Sequence, residues 1–184
     1  MRIIAGSAKG SQIFAPKGQS TRPTQDRVRE SLFNILQGDV EETVVLDLFA
    51  GSGALALEAL SRGAVEAVLV DVGQEPMLCI QRNVAKLGFE DRARLIKCDW
   101  QAALQQLSGQ GKRFHLVFLD PPYHMTNTLE IIECLVSAGL LEQGALVVVE
   151  HRLGIEPAEH PLFQKRKKRS YGDTEISFLD YAGS

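Results

Sequence analysis

From residue 44 onward, apolar residues gather into short, nearly uninterrupted runs: VVLDLF, AVLV, RLIKC, HLVFLD and ALVVVE. Runs of this kind, rich in β-branched residues and apolar toward both sides of the pleat, are typical of parallel strands covered on both faces. The intervening segments, 53 to 62, 74 to 88 and 126 to 138, have apolar positions at helical spacing. In QEPMLCIQRNVAKLG, for example, Met77, Ile80, Val84 and Leu87 share one helical face, and Gly88 follows where a left-handed cap is expected. Strand-like and helical patterns alternating in this way predict an α/β sandwich.

The pattern changes at both ends. Near the C-terminus, FQKRKKRSYGDTEISFLDY holds two strand-like runs joined by YGDT, with Ile176, Phe178 and Asp180 alternating against Glu175, Ser177 and Leu179. Turn chemistry between two such runs predicts an antiparallel hairpin. At the N-terminus, RIIAG and SQIFAP flank SAKG as a second small hairpin, followed by RPT and a helix QDRVRESLFNIL with Thr24 as its N-cap.

A chain of 184 residues with 45% hydrophobic content supplies one well-filled core. No run reaches the eighteen or so apolar residues of a membrane span, and MRIIAGSAKG lacks the apolar centre of a secretion signal, so a cytoplasmic protein is expected. Cys79, Cys98 and Cys134 are far apart, and the four histidines show no ligand spacing. These residues predict buried, reduced thiols and no metal site. The net charge of −3 conceals an asymmetry: residues 1 to 38 carry six basic and two acidic groups, KRKKR at 165 to 169 adds five more basic ones, and residues 39 to 160 hold nine basic against eighteen acidic. Basic ends flanking an acidic body suit a polyanionic substrate, with nucleic acid a candidate.

The candidate chemistry begins in LDLFAGSGALALEAL, a strand that enters a glycine-rich turn and then a helix. Gly51 and Gly53 permit close backbone approach, and the following helix offers free N–H groups to a ligand. Asp71, at the end of the next run, lies twenty residues beyond Gly51, where a carboxylate can hold a ribose diol; Asp99 ends the third run and Asp120 the fourth. In an open parallel sheet the ligand crevice lies outside the carboxyl ends of the strands, so Gly51, Asp71, Asp99 and Asp120 are expected on one rim. GSGALA also fits a loose dinucleotide fingerprint, which keeps NAD as a rival. Asp47, just before the turn, suits a ligand bearing an ammonium or sulfonium group better than a pyrophosphate, and S-adenosylmethionine carries both.

DLFAGSG and DPPY resemble the cofactor loop and the amino-methylating signature of class I S-adenosylmethionine-dependent methyltransferases. RPTQDRVRESLFNIL beside LDLFAGSGALALEALSRGA resembles, more narrowly, the RsmD family, which methylates the exocyclic N2 of a guanine in 16S ribosomal RNA. The likeness extends from RIIAG to YGDTEISFLDY. It implies a Rossmann-like class I methyltransferase fold: a seven-stranded, mostly parallel sheet with an antiparallel C-terminal hairpin. Residues 1–23 would form an N-terminal β-hairpin extension for RNA contact and residues 24–184 the methyltransferase domain. It also implies that Asp47, Ala50, Gly51 and Gly53 line the methionine end of the cofactor, that Asp71 holds the ribose, and that Asp99 and Trp100 meet the adenine. Val72 departs from the polar residue common at that position. The implied partner is 16S rRNA or the small-subunit assembly; the sequence leaves the oligomeric state open, with a monomer favoured.

The residues Asp120, Pro121, Pro122 and Tyr123 suit methylation of an exocyclic amine, whose lone pair is delocalised into its ring. If Asp120 and the Pro121 carbonyl each accept one amine hydrogen, the lone pair is turned toward the methyl group. Each proline keeps the residue before it extended, so the covalent chain itself aims these acceptors. Tyr123 offers a face on which the base can stack. Lys9, Arg22, Arg27, Arg29 and the 165 to 169 run are candidate phosphate contacts, although Arg27 and Arg29 could equally pair with Asp26 and Glu30. A DNA adenine-N6 methyltransferase would share this rim but usually carries a larger target-recognition domain. A catalytically silent nucleic-acid-binding module would have no need of an intact Asp120 and glycine loop.

Overall fold

The computed structural model describes residues 1–16, 23–122, 125 and 127–183. Its elements are α1 (Pro23–Ile35), β1 (Val44–Asp47), α2 (Ala54–Ser61), β2 (Glu66–Asp71), α3 (Gln74–Leu87), β3 (Ala93–Lys97), α4 (Trp100–Gly109), β4 (Phe114–Leu119), α5 (Thr128–Ser137), β5 (Leu141–Arg152), β6 (Phe163–Tyr171) and β7 (Thr174–Tyr181). The strands form one sheet in the order β3-β2-β1-β4-β5-β7-β6. β1 to β5 are parallel, and β7 inserts antiparallel between β5 and β6. This is the predicted mostly parallel sheet with an antiparallel C-terminal hairpin. The chain winds from β1 outward through β2 to β3, then returns to the other side of β1 with β4, and the crevice above that reversal is where a ligand can enter.

The period of two along each strand divides the core into two halves. Phe118, Val148 and Phe178 point to one face and pack with Phe33, Leu57 and Ile80 from α1, α2 and α3. Val117 and Val147 point to the other and pack with Leu104, Ile132 and Leu135 from α4 and α5. Helices on both faces explain why the strand sequences are apolar throughout rather than alternating.

Several details differ from the sequence expectation. The helix α1 begins at Pro23, so Thr24 lies inside it; proline suits a first helical position because its missing N–H would have had no partner there. β7 is buried on both faces, Glu175 and Ser177 included: Ile176 and Phe178 pack into one half of the core and Leu179 and Tyr181 into the other, while β6 covers its outer edge. The third strand stops at Lys97, and Asp99 instead caps α4, a helix that the periodicity analysis did not single out. All three cysteines are free, but only Cys79 is buried. Among the described residues no helix is long and apolar enough to cross a membrane.

Among the described residues the N-terminal segment makes one antiparallel bridge, Arg2 to Gln12, and it is held against the domain by polar contacts. Glu58 of α2, fully buried, accepts from the N–H groups of Ile4 (2.8 Å) and Ala5 (3.0 Å) and from Arg62 Nε (2.8 Å). Ser61 Oγ donates to the Ala5 carbonyl at 2.6 Å and accepts from the Ala8 N–H at 2.9 Å. Gly6 sits so close that a Cβ there would lie 1.8 Å from the Ser61 carbonyl oxygen.

Candidate active site

β1 leaves the sheet through a loop stitched to both neighbours: the Leu48 N–H donates to the Phe118 carbonyl (3.2 Å) and the Ala50 N–H to the Val70 carbonyl (2.9 Å). The loop then turns with positive φ at Gly51 (57°) and Gly53 (78°), a conformation that other residues adopt only under strain. At Gly53 a Cβ would also press to 3.0 Å from Leu69 Cδ2, so the glycine lets α2 start directly against β2. Asp71, at the tip of β2, accepts from the Gly51 N–H through Oδ2 (2.9 Å) and from the Gly73 N–H through Oδ1 (2.8 Å). Its carboxylate fixes the loops after β1 and β2 relative to one another and retains lone pairs for a ligand hydroxyl.

Asp47 ends β1 almost completely buried, at 2% exposure, and accepts one long hydrogen bond, 3.4 Å from the Ala56 N–H. Burial pushes its carboxyl up to about 7, with the negative charges of Asp120 and Asp71 adding to the shift and the Ala56 N–H opposing it. A buried acid with so little compensation is suited to receive a cation. Asp99 is exposed; its Oδ1 accepts from the Ala102 N–H (2.9 Å) and so caps α4, leaving its other oxygen open. Trp100 opens that helix, half-buried against the core of the α4/α5 face.

Asp120 follows β4 directly. Its surface is open at the lip of a concavity that it shares with Pro121, Met125, Thr128, Glu150, His151, Arg152 and Ile155. Where its carboxyl borders the concavity it loses part of its hydration, which pushes it up to about 6 although the residue remains open to solvent. Of the expected rim, Gly51, Asp71 and Asp120 follow or end β1, β2 and β4 at one edge of the sheet, beside Asp47, whereas Asp99 lies beyond the end of β3 as the cap of α4.

The family described as conserved hypothetical protein 95 matches residues 1–180. Ribosomal RNA small subunit methyltransferase D of Escherichia coli (strain K12) is 39% identical over 150 residues, covering 82% of this chain and 74% of that protein. This chain belongs to the RsmD family of methyltransferases. Its Bacillus subtilis (strain 168) relative YlbH is 34% identical over 184 residues, covering all of both chains. The solved structure of yhhF from Escherichia coli superposes with a TM-score of 0.89 at 33% identity, covering 100% of this chain and 99% of that one. The sheet order and the crevice above β1 and β4 thus belong to a Rossmann-like class I methyltransferase fold.

Within this RsmD-family chain, the structure separates the candidate RNA contacts. Lys9 and Arg27 are exposed. Arg22 lies outside the described residues, as does Tyr123. Arg29 is not a surface cation: at 5% exposure it donates through Nη2 to the Arg2 carbonyl and to Asp26 Oδ1 (3.1 Å), with Nε 3.7 Å from Glu58 Oε2. This corrects its assignment as a phosphate contact, because the N-terminal segment folds over it. The basic run on β6 is partly neutralised in place: Lys165 and Lys168 pair with Glu156, and Arg166 bridges Asp39 (2.6 Å) and Asp180 (2.7 Å).

Glu150, His151 and Arg152, at the end of β5, join Asp120 around the cleft, and motif reading did not single them out. A usable signal was present, since ALVVVE ends in an acid just as the earlier runs do. His151 is held through both ring nitrogens, Nδ1 to the Arg152 carbonyl (3.0 Å) and Nε2 to Ser177 Oγ (2.8 Å). Because a carbonyl only accepts, Nδ1 carries a proton toward it, and Ser177 Oγ is the partner of Nε2.

Proposed function

We propose that this protein transfers a methyl group from S-adenosylmethionine to the exocyclic N2 of a guanine in 16S ribosomal RNA. The observation that carries the reading is the placement of Asp120 and Pro121 at the lip of a cleft beside the strand end bearing buried Asp47, in a chain 39% identical to a protein named ribosomal RNA small subunit methyltransferase D.

The residues fit the cofactor. Asp47, under-compensated and buried, matches an ammonium group; Ala50, Gly51 and Gly53 form the loop over it; Asp71 has oxygens left for a ribose diol, and Asp99 with Trp100 borders the remaining end. When bound, the cofactor supplies a methyl group already activated by its sulfonium. The protein has to hold the amine and collect a proton. Asp120 and the Pro121 carbonyl would each accept one amine hydrogen, and such alignment is worth on the order of 7 to 11 kcal/mol. Asp120, ionised above about 6, is ready at neutral pH to take the proton that the methylated amine sheds. Pro122 keeps Pro121 extended, and Tyr123 is the proposed stacking face for the base, a contact worth roughly 1 to 3 kcal/mol. Residues 1–23, with Lys9 exposed and Arg22 at the end, together with Arg27, would carry RNA phosphates past the site.

The test is transfer of labelled methyl to naked rRNA, assembled small subunits and DNA, followed by nucleoside analysis. Label in N2-methylguanine of 16S rRNA is expected, and Asp120→Ala should abolish it while cofactor binding persists. Label on adenine, or on DNA alone, would overturn the reading.

A further inference from the structure

The cleft holds a second carboxyl that the proposed reaction does not use. In the parallel register of β4 and β5, Phe118 lies opposite Val148 and Leu119 opposite Val149, the last registered pair, and Asp120 and Glu150 are the residues that follow it on the two chains. Phe118 and Val148 point to the α1/α2/α3 face, and the alternation of the strands sends Asp120 and Glu150 to that same face, one rung above them. Both line the concavity with Pro121.

Resting on the amine-methylation reading above, we propose that Glu150 is a positioning residue for methyl transfer. As a neutral acid it donates a hydrogen bond to the Asp120 carboxylate and determines which Asp120 oxygen remains to accept the amine hydrogen. Two carboxyls that share one concavity each favour the protonated form of the other, because a second negative charge nearby is unfavourable. Burial, and the Asp120 charge after it, push Glu150 up to about 8, against about 6 for Asp120. Between these limits the pair shares one proton, placed here on Glu150, which is the more enclosed of the two while Asp120 is open to solvent. The described groups around the pair come from β7, α5, β1 and β5 itself. From β7 Glu150 meets Ile176, from α5 comes Thr128, and from β1, beyond Asp120, comes Asp47. On its own strand, His151 is engaged with Ser177 and the Arg152 backbone, and Arg152 lines the same cleft.

The proton count closes. As the amine nitrogen bonds to the methyl carbon through its lone pair, the pair of the broken carbon–sulfur bond stays on sulfur. The proton released by the nitrogen passes to the open oxygen of Asp120. Glu150 keeps its own proton throughout, so its contribution is geometric: it prevents the Asp120 carboxylate from rotating away from the amine.

The experiment compares wild type, Glu150→Gln and Glu150→Ala in single-turnover methyl transfer from pH 5.5 to 9.5 at saturating cofactor. The wild type should rise through about 6 and fall above about 8, where Glu150 loses its proton and repels Asp120. Glu150→Gln keeps a donor without a charge, so it should stay within about threefold at pH 7 and lose the falling limb. Glu150→Ala should fall about tenfold or more with unchanged cofactor affinity. A falling limb retained in Glu150→Gln, or a wild-type rate in Glu150→Ala, overturns the proposal. A methylated nucleoside other than N2-methylguanine would overturn the substrate reading instead, while the difference between the pH profiles would still test Glu150. A carboxyl NMR titration needs no substrate: Glu150 should titrate near 8 and move down in Asp120→Asn, and an ordinary value in the wild type refutes the pair.

Discussion

The buried side-chain amide of Asn83 donates to the Ser52 carbonyl at 3.0 Å, within the glycine loop. The same amide donates to the Phe14 carbonyl (2.9 Å) and accepts from the Phe14 N–H (2.7 Å). One side chain of α3 therefore ties the loop that would cradle the cofactor to the N-terminal segment proposed to meet RNA. Asn83→Ala strands these backbone groups in a dry environment and should cost about 2 to 4 kcal/mol. Cofactor affinity should fall with it, although Asn83 is not among the proposed cofactor contacts. Urea denaturation and calorimetric titration check both; unchanged cofactor affinity would show that the loop holds its shape without this tie.

Asp47 should make cofactor binding depend on pH. Its carboxyl ionises at about 7 in the folded protein, so affinity for a ligand that carries an ammonium group should rise as pH climbs to 7 and level off above it. Asp47→Asn should bind at least about tenfold more weakly at pH 8 and lose the dependence. The same raised value means that the folded chain holds this proton more tightly than the unfolded chain does. Stability therefore declines between about pH 4 and 7, and the penalty persists above. Asp47→Asn should accordingly stabilise the free protein at pH 8 by up to about 4 kcal/mol and give little at pH 4. Equal stability of the two proteins at pH 8 would remove Asp47 from this account.

Gly6 and Gly10 separate two meanings of a glycine. Both have positive φ, 81° and 84°, but a Cβ at Gly6 would strike the Ser61 carbonyl at 1.8 Å, whereas at Gly10 nothing lies within 4 Å. Gly10→Ala should cost only the backbone strain, about 1 to 2 kcal/mol. Gly6→Ala should cost distinctly more and expose the N-terminal segment to proteolysis while the sheet persists. Indistinguishable stabilities for the two variants would mean that the segment is not docked through Ser61.

Arg29 and Arg27, two residues apart on α1, should answer to different assays. Arg29→Ala removes the second cation beside buried Glu58, which keeps Arg62 at 2.8 Å, and takes the donor from the Arg2 carbonyl; it should destabilise the fold by about 1 to 3 kcal/mol, without changing how rRNA binding weakens with salt. Arg27→Ala or Lys9→Ala should leave stability alone and reduce the slope of that salt dependence by about 1. A slope change in Arg29→Ala with no loss of stability would restore it as an RNA contact.

The alternation of apolar runs and helical spacing was enough to place every strand from β1 to β5 and the helices α2, α3 and α5, because these patterns repeat over distances shorter than one element. Strand-end acids marked the rim by the same local logic, and Gly88 caps α3 with φ 69° as its position implied. Helix α4 was less legible, since WQAALQQLSG has a short apolar stripe and its start is set by the cap at Asp99. Whether a charged residue faces solvent or the interior was decided by chain far away in sequence. Arg29 is buried because residues 2 to 5 cross over it toward Glu58, and Lys165, Arg166 and Lys168 meet carboxylates supplied by Asp39, Glu156 and Asp180. The approach of Glu150 to Asp120 likewise depends on the β4–β5 register. Local sequence determines the elements and the residues at their ends; burial and charge pairing arise between elements, so only the tertiary structure decides which acids keep a proton and which bases remain free.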